Sequence, residues 1–323
     1  MRAIQFSVLG GAEVLEYTDV PVPMPTATQA LVALDTIGVN FIDTYYRRGL
    51  YPAALPSIPG QEGAGVVTAV GESVVAVRVG DRVAFAGSSV ASYAPYVAID
   101  AERLVPVPDG VSSAVACAAL LQGMTAHYLV DGAFALGAGH TALVHAAAGG
   151  TGQLLVQLAK RTGARVIGTV STEAKARIAH DRGCDLVIRY DRDDFAEIAR
   201  AWTDGRGVDV VYDGVGVKTF EGSLRALARR GTCVLFGQAS GPVAPFDPQL
   251  LNQRGSLFLT RPKLADYTVT RAELLARADA VFGAVGDGTL AVEIGGQWPL
   301  AQAAEAHRAL EGGGTTGKLL LIP

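Results

Sequence analysis

The stretch from Thr141 to Tyr190 constrains the fold more than any other part of the chain. It opens on Ala142-Leu143-Val144-His145-Ala146, a short apolar run bounded by turn residues, which suits a strand buried on both faces. Ala146-Ala147-Ala148-Gly149-Gly150-Thr151-Gly152 comes next, followed by Leu154, Leu155, Leu158 and Ala159 at helical spacing. Gly163 closes that helix, and Val166-Ile167-Gly168-Thr169 reads as a second strand. Strand, glycine turn, helix, strand is the context that a dinucleotide fingerprint requires. Glycines let the backbone turn tightly and approach a pyrophosphate, and the helix N-terminus offers free N–H groups and a positive dipole end. The motif is A-x-x-G-G-x-G, with alanine where the strict pattern has its first glycine. Ala148, Gly149, Gly150, Thr151 and Gly152 are the candidate cradle. The competing explanation is a glycine turn that only lets a helix pack closely on a sheet.

The end of the second strand selects the nucleotide. A site for the non-phosphorylated dinucleotide usually carries Asp or Glu about 20 residues past the glycines, bonded to a ribose hydroxyl. Here that place holds Thr169, Val170, Ser171 and Thr172, with Lys175 just beyond. Ser171, Thr172 and Lys175 suit a 2′-phosphate, which a carboxylate would repel. The sequence therefore predicts NADPH in preference to NADH. The alternative for Lys175 is a solvated helix lysine.

The chain has 323 residues, enough for one large or two ordinary domains, and half of them are apolar. A net charge of −4 gives no basic footprint for nucleic acid. Cys117, Cys184 and Cys233 lie far apart, without metal spacing or a disulfide framework, which points to a reducing compartment. No apolar run approaches 18 residues and no signal core is present, so the expected location is the cytoplasm.

Residues 1–99 look β-rich, with runs such as Ala30-Leu31-Val32-Ala33-Leu34 separated by Pro and Gly clusters, and suggest a barrel-like domain. Residues 112–136 turn helical. From Thr141 to about Thr260 strands alternate with helices, near 142–146, 165–169, 185–188, 208–213, 232–237 and 256–260. Six strands with crossover helices predict a doubly wound parallel sheet. Arg261-Pro262 ends it, and a tail of helix (270–285), strand (290–294), helix (300–311) and strand (319–322) is expected to return to the first domain. The expected division is 1–124 with 261–323, and 125–260. Ligands of such sheets bind at the carboxyl ends of the strands. The candidates there are Gly149 to Gly152, Ser171, Tyr190, Asp213 to Gly216 (Val215 among them), and Phe236 to Ser240 (with Gly237).

Several stretches together resemble the medium-chain dehydrogenase/reductase superfamily and, within it, the zinc-free NADPH:quinone oxidoreductases of the zeta-crystallin group. They are Gly38-Val39-Asn40-Phe41-Ile42-Asp43-Thr44-Tyr45, Arg48-Gly49-Leu50-Tyr51-Pro52, Gly80-Asp81-Arg82-Val83, His145-Ala146-Ala147-Ala148-Gly149-Gly150, Tyr212-Asp213 and Leu251-Asn252-Gln253-Arg254-Gly255-Ser256. The resemblance implies a Rossmann sheet inserted in a β-rich GroES-like catalytic domain, a homodimer, and sites facing a cleft between domains. It also implies cofactor contacts from Asn40, Thr125, Gly150, Lys175, Tyr190, Phe236 and Ser240. Relatives often carry a basic residue in the last loop, where this chain has Gly312-Gly313-Gly314-Thr315, and Lys318 is the candidate substitute.

Zinc-dependent relatives place Cys and Gly-His-Glu at the metal; here Asn40 and Gly60-Gln61-Glu62-Gly63 stand instead. His127, His140, His145, His180 and His307 lack ligand spacing, so no metal is expected and Glu62 reads as a structural carboxylate. His145 reads as a hydrogen-bonded structural histidine, and Asp43 as a partner of nearby backbone or of Arg47.

Without a metal the accessible reaction is hydride delivery to an electron-poor acceptor, such as a quinone or conjugated enone. Asn40, Tyr45 and Tyr51 are the candidate catalytic residues: Asn40 to hold polar atoms of the cofactor, the tyrosines to flank a flat ring, and Tyr45 to donate to a developing oxyanion. The alternative for each tyrosine is half-buried packing. NADPH-dependent quinone reduction is the favoured function and enone or alkenal double-bond reduction the second. A low-turnover NADPH-binding protein with a structural or RNA-binding role is the third, which the acidic balance disfavours.

Overall fold

The computed structural model describes residues 1–87 and 91–323. The chain forms two compact units, Met1–Met124 with Thr268–Pro323, and Thr125–Tyr267. The second unit ends a short helical turn, Leu264–Tyr267, beyond the break that Pro262 suggested.

In the first unit, β1 (Arg2–Gln5) and β2 (Glu16–Asp19) pair as a separate ribbon. The main strands are β3 (Gln29–Val39), β4 (Glu62–Val70), β5 (Arg82–Ala86), β6 (Tyr96–Asp100) and β7 (Val105–Pro106). Helix α1 (Phe41–Arg47) follows β3 directly. Helix α2 (Ser113–Tyr128) runs on through a π-helical turn, Leu129–Ala133. Ser113–Ala133 is long and apolar enough to cross a membrane by length and composition, although Gln122, Thr125 and His127 interrupt its apolar run. Most of it is buried inside the protein, as in a core helix.

The second unit carries the strand–helix alternation. Its elements are β8 (Thr141–Val144), α3 (Gly150–Arg161), β9 (Arg165–Val170), α4 (Glu173–Asp181), β10 (Leu186–Arg189), α5 (Phe195–Trp202) and β11 (Val208–Asp213). Then come α6 (Phe220–Ala226), β12 (Leu227–Leu235), α7 (Gln249–Gln253) and β13 (Phe258–Thr260). The sheet is six-stranded, in the order β10-β9-β8-β11-β12-β13, and every pairing is parallel. The order reverses at β8, so the loop after β8 opens at the switch point of a doubly wound sheet. Leu143, Ile167, Val211 and Cys233 from successive strands fill one face of the core, against Phe195, Phe220 and Leu224.

The tail consists of α8 (Arg271–Gly286), β14 (Ile294–Pro299), α9 (Ala303–Glu311) and β15 (Lys318–Ile322). It completes the first unit's sheet, ordered β14-β15-β3-β4-β5-β7, with β6 also paired to β3. The strand before α9 lies later than the pattern placed it, because Gly295, Gly296 and Pro299 disguise it. Gly295 passes so close to β15's approach that a Cβ there would lie 1.7 Å from the Thr316 carbonyl oxygen. Pro299 is tolerated because β14 is an edge strand.

Candidate active site

In the first unit the chain leaves β3 at Asn40, which caps α1 in extended geometry. Its side-chain amide is held at both ends. Nδ2 donates to Glu62 Oε2 at 3.0 Å, and Oδ1 accepts from Lys318 Nζ at 2.7 Å. Lys318 also binds the Glu62 carboxylate directly, and Glu62 Oε1 accepts the Leu121 N–H at 2.8 Å. Lys318 is 1 % exposed and Glu62 is fully buried. Lys318 was expected to replace a phosphate contact in the last loop. The structure corrects this: its ammonium is buried and committed to Glu62 and Asn40, where it neutralises a carboxylate that would otherwise be buried alone.

A second buried chain reaches Asn40 from below. Arg47 donates to both Glu311 oxygens at 2.8 Å and, through Nη1, meets His307 Nδ1 at 2.8 Å. Arginine can only donate, so His307 Nδ1 accepts and Nε2 carries the proton. Nε2 then donates to the Tyr93 hydroxyl at 2.9 Å, and that hydroxyl donates to Asp43 Oδ2 at 3.2 Å. The same oxygen accepts the Asn40 backbone N–H at 2.8 Å. Asp43 thus serves backbone, as expected, but its side-chain partner is Tyr93 rather than Arg47. Burial pushes the Asp43 carboxyl up to about 7, against the Asn40 N–H, Lys318 and Tyr93. Burial, helped by Arg47, pulls His307 down to about 3.

Tyr45, buried on α1, packs edge-on against Tyr51, with ring centroids 5.6 Å apart, and Tyr46 also meets Tyr51 edge-on at 5.5 Å. The three rings form one aromatic cluster beside the Asn40 cap.

A tetrahedral zinc ion does not fit the donors at this place. Asn40 and Gln61 are amides, Glu62 is committed to Lys318, Asn40 and the Leu121 N–H, and no group of three His, Cys, Asp or Glu that could hold a metal occurs among the described residues.

In the second unit the expected residues gather at the carboxyl ends of the strands. After β8, Ala146 adopts φ 51° and its carbonyl accepts the Gly149 N–H at 2.8 Å. A Cβ on Gly152 would lie 2.2 Å from that same carbonyl oxygen, so the first turn of α3 is pressed against the strand end. Beyond the Gly149 N–H, which is spent on Ala146, the first turn of α3 carries N–H groups with no intrahelical acceptor, the arrangement a pyrophosphate needs. After β9, Thr172 caps α4 by accepting the Lys175 N–H at 3.2 Å. Burial lowers the affinity of the Lys175 ammonium for its proton. Tyr190, just past the end of β10, donates its N–H to the Val170 carbonyl at 3.2 Å.

After β11, Val215 donates its N–H to Asp213 Oδ1 at 2.8 Å. The Val215 carbonyl accepts both the N–H and the hydroxyl of Ser240, at 2.8 and 2.7 Å. The Phe236 ring lies over Gly214, where an added Cβ would come within 2.8 Å of it, and Gly237 passes the Gly214 carbonyl just as closely. Val215, Phe236, Gly237 and Ser240 are therefore one structural unit. Thr125 stands on α2, outside this row of strand ends.

The sequence read His145 as a hydrogen-bonded structural histidine, which the structure bears out, but did not identify its partners. His145 Nδ1 meets Thr169 Oγ1 at 2.8 Å, and Nε2 meets Ser223 Oγ at 3.0 Å. Ser223 and Thr219 both donate to Asp213. The available signal was polar residues at three adjacent strand ends, with Thr219 at the N-cap of α6 and Ser223 one turn into it.

Residues 26–109 match the family model for the alcohol dehydrogenase GroES-like domain, and residues 150–268 match the one for the zinc-binding dehydrogenase. A quinone oxidoreductase from Pseudomonas aeruginosa is 45 % identical over 323 residues, covering 100 % of this chain and 99 % of that protein. The chain belongs to the quinone oxidoreductase family of medium-chain dehydrogenase/reductases. The crystal structure of Escherichia coli quinone oxidoreductase complexed with NADPH superposes with a TM-score of 0.97 at 40 % identity over the full length of both chains. A 2-haloacrylate reductase from a Burkholderia species is 40 % identical, over 97 % of this chain and 96 % of that protein. The chain's relatives thus include proteins named for quinones and one named for 2-haloacrylate.

Proposed function

We propose that this chain is an NADPH-dependent quinone reductase that works without zinc. The carrying observation is a glycine turn whose Gly152 admits no side chain, with hydroxyls and Lys175 rather than a carboxylate at the end of the next strand. Full-length likeness to quinone oxidoreductases at 45 % identity supports the substrate class.

NADPH, when bound, would supply the hydride. The second unit would hold the nucleotide, with the Gly149–Gly152 turn for the pyrophosphate and Ser171, Thr172, Lys175 and Tyr190 for the 2′-phosphate end. Val215, Phe236, Gly237, Ser240 and Thr125 would supply further contacts. Asn40, fixed by Glu62 and Lys318, orients polar atoms at the reacting end without rotating. Tyr51 flanks a flat acceptor, and the Tyr45 hydroxyl donates to the acceptor oxygen as negative charge develops there. Glu62 and Lys318 neutralise each other, so neither acts as a free acid or base.

The 2-haloacrylate reductase relative supports enone or alkenal reduction as the second reading. NADPH oxidation with matched quinones and enones separates the two. Quinone turnover at least tenfold faster is expected, and the reverse order would reassign the substrate. Tyr45→Phe should lower turnover more than it weakens NADPH binding; an unchanged rate would leave Tyr45 a packing residue.

The finer assignments follow from smaller observations. Strand β13 is a sheet edge with Phe258 61 % exposed, which supports a homodimer through that edge. Three unpaired, buried cysteines support a reducing, cytoplasmic setting. The charge of −4 argues against nucleic acid as a partner.

A further inference from the structure

The backbone ladder between β8 and β9 ends at the pair Val144 and Gly168, and that between β8 and β11 ends at Val144 and Tyr212. The next residue on each strand is His145, Thr169 and Asp213, respectively. All three are buried; His145 bonds Thr169 directly and Asp213 through Ser223 of α6, so these side chains add to the backbone bonds from the His145 N–H to Tyr212 and from the Ala147 N–H to Thr169, both 3.1 Å, that tie the same strand ends.

The direction of every bond in this chain is fixed. Asp213 is acceptor only: it takes the N–H groups of Val215 and Gly216 at 2.8 and 3.0 Å, the Thr219 hydroxyl at 2.9 and 2.8 Å, and the Ser223 hydroxyl at 2.8 Å. Ser223 spends its one proton on the carboxylate, the stronger acceptor, so it accepts from His145 Nε2. His145 therefore carries its proton on Nε2, and Nδ1 accepts from the Thr169 hydroxyl. Burial keeps His145 below its usual range despite Asp213, and the ring also packs edge-on against Phe195 at 4.7 Å.

We propose that Thr169, His145, Ser223 and Asp213 form a positioning relay for the cofactor loops. It holds the glycine turn after His145, the phosphate-binding stretch after Thr169 and the Val215 loop after Asp213 at one fixed spacing. NADPH affinity depends on that spacing, because the three loops must grip different parts of one molecule at the same time. The proposal rests on the assignment of those loops to NADPH made above.

Ser223→Ala tests it by removing the central link. The expected result is an NADPH dissociation constant, read by fluorescence titration, raised about tenfold, the equivalent of one buried hydrogen bond. The KM for NADPH rises with it while kcat at saturation changes less than twofold. A triple variant, Thr169→Val with His145→Phe and Ser223→Ala, replaces three of the four linked polar groups by apolar ones of similar shape and leaves Asp213 bonded to Thr219 and to the Val215 and Gly216 N–H groups. It should recover the parent's melting temperature while NADPH binding stays weak. Parent-like NADPH affinity in Ser223→Ala, or affinity that returns with stability in the triple variant, overturns the relay. Lys175→Ala is the control for the loops themselves: weak NADPH binding there with parent-like binding in Ser223→Ala rejects the relay and keeps the site. Parent-like binding in both rejects the site.

Discussion

Asn40 illustrates how one side chain is made rigid. An amide has a donor end and an acceptor end, and here each is matched by a buried charge, Glu62 on one side and Lys318 on the other. Its backbone N–H is fixed separately by Asp43. The cost of that arrangement falls on Asp43, whose carboxyl sits in a dry place with Oδ1 buried and unbonded. Glu62, Lys318, Tyr93 and the Asn40 N–H face it. Its folded-state value of about 7 lies above the ordinary 3.8, so the folded protein binds the proton more tightly than the unfolded chain does. Between those two pH values the contribution of Asp43 to stability falls as pH rises, and above about 7 it stays low. Asp43→Asn keeps an acceptor for Asn40 and removes the charge. The variant's melting temperature relative to the parent's should therefore be higher at pH 8 than at pH 4.5, as scanning calorimetry at both would show. A difference independent of pH would mean that Asp43 does not titrate in this window.

Among the elements, the turn from β8 into α3 is set by one close approach. Gly149 and Gly152 are both glycines of the fingerprint, yet they do different work. A Cβ on Gly149 would meet its nearest neighbour at 3.2 Å, whereas on Gly152 it would strike backbone at 2.2 Å. Gly152→Ala should therefore push α3 off the strand end, lower the melting temperature by roughly 5 °C and weaken NADPH binding more than tenfold. Gly149→Ala should do much less on both measurements. Equal effects would mean that the motif serves only chain flexibility. The strict first glycine is replaced by Ala146, and the chain there still takes a left-handed conformation, φ 51°, at the strain that alanine brings. Thr172 shows a further division of labour: its oxygen caps α4 by accepting the Lys175 N–H, which leaves the hydroxyl's proton to be donated elsewhere.

At the scale of the whole molecule, the six-stranded sheet ends at β13 with an unpaired edge and a phenylalanine facing outward. An edge of this kind invites pairing with a second copy of the chain. Phe258→Lys should convert a dimer to a monomer in sedimentation velocity runs without unfolding the protein. A parent that already sediments as a monomer would remove the homodimer from the proposed function.

The sequence by itself determined the doubly wound sheet and the glycine turn, because both rest on short-range pattern: apolar runs, helical spacing and glycine at a fixed offset. It also identified the row of residues at the strand ends, since consecutive loops of a parallel sheet open on the same edge. Tertiary structure decided the partners. Lys318 lies far from Asn40 in sequence and reads as an ordinary basic residue at the start of a strand, until β15 pairs with β3 and carries its ammonium onto Glu62. Tyr93, His307 and Arg47 become one chain of hydrogen bonds only when α9 packs beside α1. Composition and periodicity report which residues prefer the interior. Which buried charge meets which depends on strand order and register, and these are fixed by contacts between residues hundreds of positions apart.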